Sequence, residues 1–200
     1  MNLNADWNLI TGITTAVFVY SIGDPDGVII ENTLFGFSDG YFLTEELLPG
    51  KGYWIRTYEE GDIILTDGGL AKTLPRDYSL KGNTLSINGS ELYFGIELTD
   101  KDRHSYSLPP KPPEGAFDVR FKDGWRLVKD YGEIEVMPTT ESLTIVYDIK
   151  VNAGEHCNWV LRSGEDYILE GSGEITVPSA QRFILAVSYT HLTLPTICSV

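Results

Sequence analysis

At 200 residues, with 42% hydrophobic and 22% charged side chains, the chain has the composition of a folded globular protein, large enough for one all-β domain or two small ones, and not of a disordered segment. Its formal charge of −14 repels a phosphate backbone and an anionic lipid surface, which argues against nucleic acid as a partner, and no apolar run reaches the roughly 18 residues that a membrane-spanning helix needs. The two cysteines, Cys157 and Cys198, are too few for a disulfide framework.

Met1-Asn2-Leu3-Asn4-Ala5-Asp6 has neither the basic end nor the apolar stretch of a signal peptide, which taken alone predicts a cytoplasmic chain. From there the pattern is one of short β runs separated by turn residues, with no 3.6-residue periodicity over a helical length. Trp7–Ile10 opens, Ala16–Ile22 follows, and Asp24-Pro25-Asp26-Gly27 breaks the chain before Val28–Ile30. Leu34–Phe37 and Tyr41–Leu43 flank Ser38-Asp39-Gly40, a hairpin signal because Asp-Gly tolerates positive φ. Pro49 presets φ for the second position of a tight turn and Gly50 takes the positive φ that a type II turn demands next. Beyond it the side chains alternate, Tyr53 and Ile55 to one face and Trp54 and Arg56 to the other. Trp54 is expected to be largely buried, packed with Trp7 or its neighbours. With Asp62–Leu65 this makes one unit, residues 3–66.

Residues 67–82 mix Gly, Pro and charge and are read as a linker. A second unit, residues 83–186, carries ten candidate strands: Thr84–Ile87, Glu91–Leu98, Ala116–Phe121, Trp125–Val128, Gly132–Met137, Ser142–Lys150, Asn158–Arg162, Tyr167–Glu170, Glu174–Val177 and Arg182–Leu185. Short strands at this spacing predict a sandwich, with the immunoglobulin type as one form of it. Leu143, Ile145, Tyr147 and Ile149 should share the core face of one strand. Pro109-Pro110-Lys111-Pro112-Pro113 cannot lie inside a sheet, because four of its five residues lack a backbone donor, and is expected to be an extended rigid loop. The fold class is therefore all-β, two small β domains with the second sandwich-like.

Trp7-Asn8-Leu9-Ile10, Asp24-Pro25-Asp26-Gly27, Leu34-Phe35-Gly36-Phe37 and Pro49-Gly50-Lys51-Gly52-Tyr53-Trp54, in that order, resemble a β module of large secreted bacterial proteins. Asn83–Gly89, Tyr93–Ile96, Ser107–Pro113 and Phe117–Phe121 look like the domain that usually follows it. The resemblance covers most of residues 3–185. It implies an accessory region near the C-terminal end of a multidomain protein, ahead of a type IX secretion sorting domain, exported or held at the cell surface, with the other domains of the same protein as partners. It brings no catalytic residues. Beside that reading, the chain itself is expected to be a fragment of the longer protein.

Candidate chemistry is sparse. Asp24-x-Asp26-Gly27 opens like a calcium loop but lacks the later oxygen ligands, so a proline turn is the expectation. Lys51 beside two glycines lacks the spacing and the following Ser/Thr of a phosphate loop. His104, His156 and Cys157 are the only plausible soft metal ligands, and no nucleophile signature accompanies them. Neither catalytic residues, a metal site nor a cofactor is therefore assigned, and the chain is expected not to be an enzyme. Tyr41, Tyr53, Trp54 and Trp125 are the candidate ligand-binding residues, since strand aromatics can form a sugar-stacking platform when exposed, although aromatics in strands usually build core. The alternative function is thus a carbohydrate-binding module appended to a secreted hydrolase, with polysaccharide as partner. Asn88-Gly89-Ser90 fits a glycosylation sequon and is more simply a turn.

Val187–Thr196 is expected to be foreign to the natural protein: read back through the genetic code, its ten residues resemble GTC TCT TAT ACA CAT CTG ACG CTG CCG ACG, one frame of a transposase-based sequencing adapter. Residues 187–200, with His191 and Cys198, are accordingly set aside as a non-native tail.

Overall fold

The structure, a computed structural model, describes residues 1–67, 82–151, 154 and 157–189. The linker expected over 67–82 therefore lies almost wholly outside the described residues, as do His156, His191 and Cys198. The chain is all-β. Among the described residues helix is confined to α1 (Asp100–Arg103), capped by the Thr99 hydroxyl, and to 3-10 turns at Val19–Ser21 and His104–Tyr106.

The first eight strands are β1 (Asn2–Leu3), β2 (Asp6–Thr11), β3 (Val17–Phe18), β4 (Phe35–Phe37), β5 (Tyr41–Leu43), β6 (Glu46–Leu47), β7 (Gly52–Thr57) and β8 (Gly61–Asp62). They form a four-stranded sheet in the order β2-β7-β4-β5 and the small pairs β1-β8 and β3-β6. The turn into β7 forms as its residues dictate: Gly50 has φ +70°, and the Lys51 N–H donates to the Leu48 carbonyl at 3.4 Å. Alternation along β7 sends Tyr53, Ile55 and Thr57 inward, where Tyr53 and Ile55 join Leu3, Ile10, Val17 and Leu47 in one hydrophobic core. Trp54 is on the other face, half-buried, opposite Leu9 on β2 and Phe35 on β4. The expectation that Trp54 is a buried core residue is therefore corrected, because its strand turns the Tyr53 face to the core.

Ala16–Ile22 gives only the two residues of β3 before the chain closes into a 3-10 turn, where the Ser21 hydroxyl donates to the Phe18 carbonyl at 2.7 Å. Asp24 accepts the Val28 and Ile29 N–H groups, each at 3.0 Å, and Asp26 accepts that of Asp62 at 3.2 Å. Both carboxylates of the calcium-like motif thus tie down backbone, Asp24 that of its own turn and Asp26 that of β8.

The remaining strands are β9 (Asn83–Ile87), β10 (Ser90–Phe94), β11 (Asp118–Phe121), β12 (Leu127–Val128), β13 (Tyr131–Met137), β14 (Ser142–Asp148), β15 (Cys157–Ser163), β16 (Glu165–Leu169), β17 (Ser172–Pro178) and β18 (Arg182–Tyr189). They make two five-stranded sheets, β12-β10-β9-β14-β17 and β11-β13-β18-β15-β16. Every pairing is antiparallel except β10 with β12, and β9, the first strand, lies mid-sheet rather than at an edge as in an immunoglobulin domain. Asn88 and Gly89, with φ +46° and +89°, close the two-residue turn between β9 and β10. Leu143 and Ile145 on β14 are buried while Val146 is exposed. Leu85, Phe94, Phe121, Ile134, Leu161 and Phe183 fill the second core, between the two sheets.

β18 runs past residue 186. Val187 pairs with Trp159 and packs on the second core, and Ser188 pairs with Asn158, so the boundary placed at 186 cuts through a paired strand.

A candidate site at the junction of the two units

Between the two cores the chain builds a junction from β2, the β4–β5 hairpin and β7 on one side and the stretch from α1 to β12 on the other. Backbone ties it together: the Phe117 N–H donates to the Asp39 carbonyl at 3.2 Å, in the loop of the hairpin. Gly40 in that loop is not in the left-handed region; its requirement is one of space, since a Cβ there would stand 3.0 Å from the Phe117 carbonyl oxygen. Tyr41 donates its hydroxyl to the Pro110 carbonyl at 2.9 Å, so the proline-rich loop is anchored across the junction.

Cations and rings alternate through the contact. The Arg56 guanidinium is held by Asp6 at 2.6 Å and stands 5.9 Å from the ring centre of Trp7 and 6.0 Å from that of Trp125. Arg103, the last residue of α1, stands 4.3 Å from the same Trp125 ring. Such contacts contribute about 0.5–1 kcal/mol when exposed and more when water is excluded. His104 lies 6.1 Å from Trp125 and 6.0 Å, at 90°, from Tyr58, and its Nδ1 is buried with no partner among the described residues. Burial, followed by the charge of Arg56, holds the imidazole below the ordinary histidine pKa.

Beside this stack a cleft of about 450 Å³ opens, walled by Trp7, Arg56, Pro110, Arg120, Lys122 and Trp125. Several of its charges are already taken. Arg120 is buried and bidentate to Asp118 through Nε at 2.5 Å and Nη2 at 2.8 Å, with Nη1 donating to the Pro109 carbonyl at 2.9 Å. Lys111 holds Glu135 at 2.6 Å. The Ser107 hydroxyl donates to the His104 carbonyl at 2.7 Å, so Ser107 and His104 do not form a nucleophile and base pair. Among the described residues no three His, Cys, Asp or Glu side chains cluster as metal ligands.

The four aromatic candidates part company here. Tyr53 is in the core of the first unit, its hydroxyl accepting the Leu48 N–H at 2.9 Å. Tyr41 is half-buried, edge-on to Phe35 and Phe37 with ring centres 6.3 and 5.3 Å away, and burial raises the pKa of its phenol. Trp54 is half-buried on the face that carries Arg56, and Trp125 is half-buried beneath two guanidinium groups. Three of the four thus lie on the junction side without forming a coplanar exposed platform. Sequence reasoning missed the arginines that organise the place. Arg56 could have been found from its phase with Trp54 on β7, but its meeting with Trp7 depends on cross-strand register. Arg103 and Arg126 leave no local signal.

No protein-family model matches the chain, and neither a curated protein nor a solved structure matches it significantly.

Proposed function

We propose that this region is a non-enzymatic accessory module, two β units acting as one spacer or interaction element within a secreted or cell-surface bacterial protein, ahead of a type IX sorting domain. The observation that carries this reading is the use of Trp125: its ring is engaged by Arg56 of the first unit, which fastens one unit to the other, and by Arg103 of its own unit, rather than being left free for a ligand. The strongly acidic composition and the order of the secretion-associated motifs support export. Partners are then the neighbouring domains of the same protein.

The carbohydrate-binding reading is favoured by one observation, the cleft of about 450 Å³ with Trp7 and Trp125 among its walls, a volume within the usual range for ligand sites. Affinity electrophoresis against a panel of neutral and acidic polysaccharides separates the two. The spacer reading expects no retardation. Retardation that is lost in Trp125→Ala, with the variant still folded, would overturn it in favour of a carbohydrate module.

A further inference from the structure

A second cavity, about 240 Å³, lies between the β4–β5 hairpin and the second unit, with hydrocarbon from Phe35, Phe42 and Leu43 on one side and Phe117 and Val119 on the other. Polar groups stand among them, Tyr41, Ser90, Glu91, Tyr93 and Asp118, and one more is unlike the rest: Arg126. Its side chain is 8% exposed, its Nη2 donates to the Ser105 carbonyl at 3.1 Å and the Asn32 carbonyl at 3.5 Å, and it forms no salt bridge among the described residues. Its Nε is buried with no hydrogen-bond partner among them. Phe35 at 5.1 Å and Tyr106 at 5.8 Å supply ring faces, which attract a cation without accepting its N–H groups.

A desolvated guanidinium with no direct ion pair is costly, Glu91 acting on it only through space, and the group that matches its donors best is a carboxylate. Of the acids at the cavity wall, Asp118 is bidentate to Arg120, while Glu91 accepts the Tyr93 hydroxyl at 2.6 Å and forms no salt bridge with Arg126. We propose that this cavity binds a small carboxylate with an apolar body, the carboxylate on Arg126 and the hydrocarbon among Phe35, Phe42 and Phe117. The site is separate from the cleft that borders Trp125 and does not depend on the spacer role.

The test uses the native chain, ¹⁵N-labelled, with the Arg126 Nε–H resonance followed by NMR while hydrocinnamate is added to about 20 mM. A saturable shift with Kd on the order of 1 mM is expected for a ligand of this size. Phenethylamine, with the same ring and no carboxylate, should leave the resonance in place. Phenylalanine adds an ammonium group: binding tighter than hydrocinnamate assigns the site to apolar amino acids, with Glu91 meeting the ammonium, and weaker binding assigns it to plain carboxylates. Phe42 is 48% exposed and outside both cores, so Phe42→Ala should fold and weaken hydrocinnamate by about fivefold through lost apolar contact. An unmoved Arg126 resonance throughout the hydrocinnamate titration, or an equal response to phenethylamine, would overturn the proposal.

Discussion

The Arg56 guanidinium, on the first unit, lies 6.0 Å from the ring centre of Trp125, on the second, and the same arginine is pinned by Asp6 and covers Trp7. One side chain therefore couples β7 of the first unit to the loop between β11 and β12 of the second. A double-mutant cycle with Arg56→Ala and Trp125→Ala should return a coupling of about 0.5–1 kcal/mol in urea denaturation. Strict additivity would mean the contact carries no energy.

Asp118 and Arg120 alternate in phase on β11 and both are buried, so each depends on the other for its charge. Asp118→Ala should cost about 3–5 kcal/mol, because it strands a buried guanidinium. Replacing both, Asp118→Leu with Arg120→Met, should recover much of the loss. The urea midpoints of the single and double variants decide this, and a double variant no better than the single would place the cost in packing instead.

Neighbours on β7 should respond very differently to truncation. Tyr53→Ala removes a core ring and a hydroxyl that satisfies Leu48, at a cost of about 3–5 kcal/mol. Trp54→Ala, on the half-buried face, should cost clearly less. Equal losses by thermal or chemical denaturation would restore Trp54 to the core.

His104 sets a pH dependence. Burial and Arg56 favour its neutral form, so the folded chain binds that proton less readily than the unfolded chain. Its effect is absent above the unfolded value near about 6.5; as pH falls through that value toward the lower folded one, the unfolded chain takes up the proton first and stability drops. The fall in urea midpoint between about pH 7.5 and pH 5.5 should accordingly be smaller in His104→Asn than in the native chain. An unchanged fall would assign the pH dependence to carboxylates.

Local chemistry was legible and long-range meeting was not. Pro49-Gly50 and Asn88-Gly89 declare their turns because positive φ is a property of the residue itself. The alternation of Leu143 and Ile145 against Val146 declares a half-buried strand for the same reason. On β7 alternation separated Tyr53 from Trp54 but could not say which face met the core, since both faces are rich in apolar and aromatic groups. Val187, expected from the sequence to open a foreign tail, completes β18 against Trp159, a pairing that only register reveals. Arg126 meets Phe35 across some ninety positions of sequence, and no local pattern announces such a contact.

The central claim is that the two units move as one body, fastened at the Arg56–Trp125 junction. Residual dipolar couplings of backbone N–H groups, measured for strands β2 and β7 and for strands β13, β14 and β18 in one alignment medium, test it directly. The account predicts a single alignment tensor that fits both sets, splitting into two in Trp125→Ala. Two tensors of different magnitude in the native chain would contradict it.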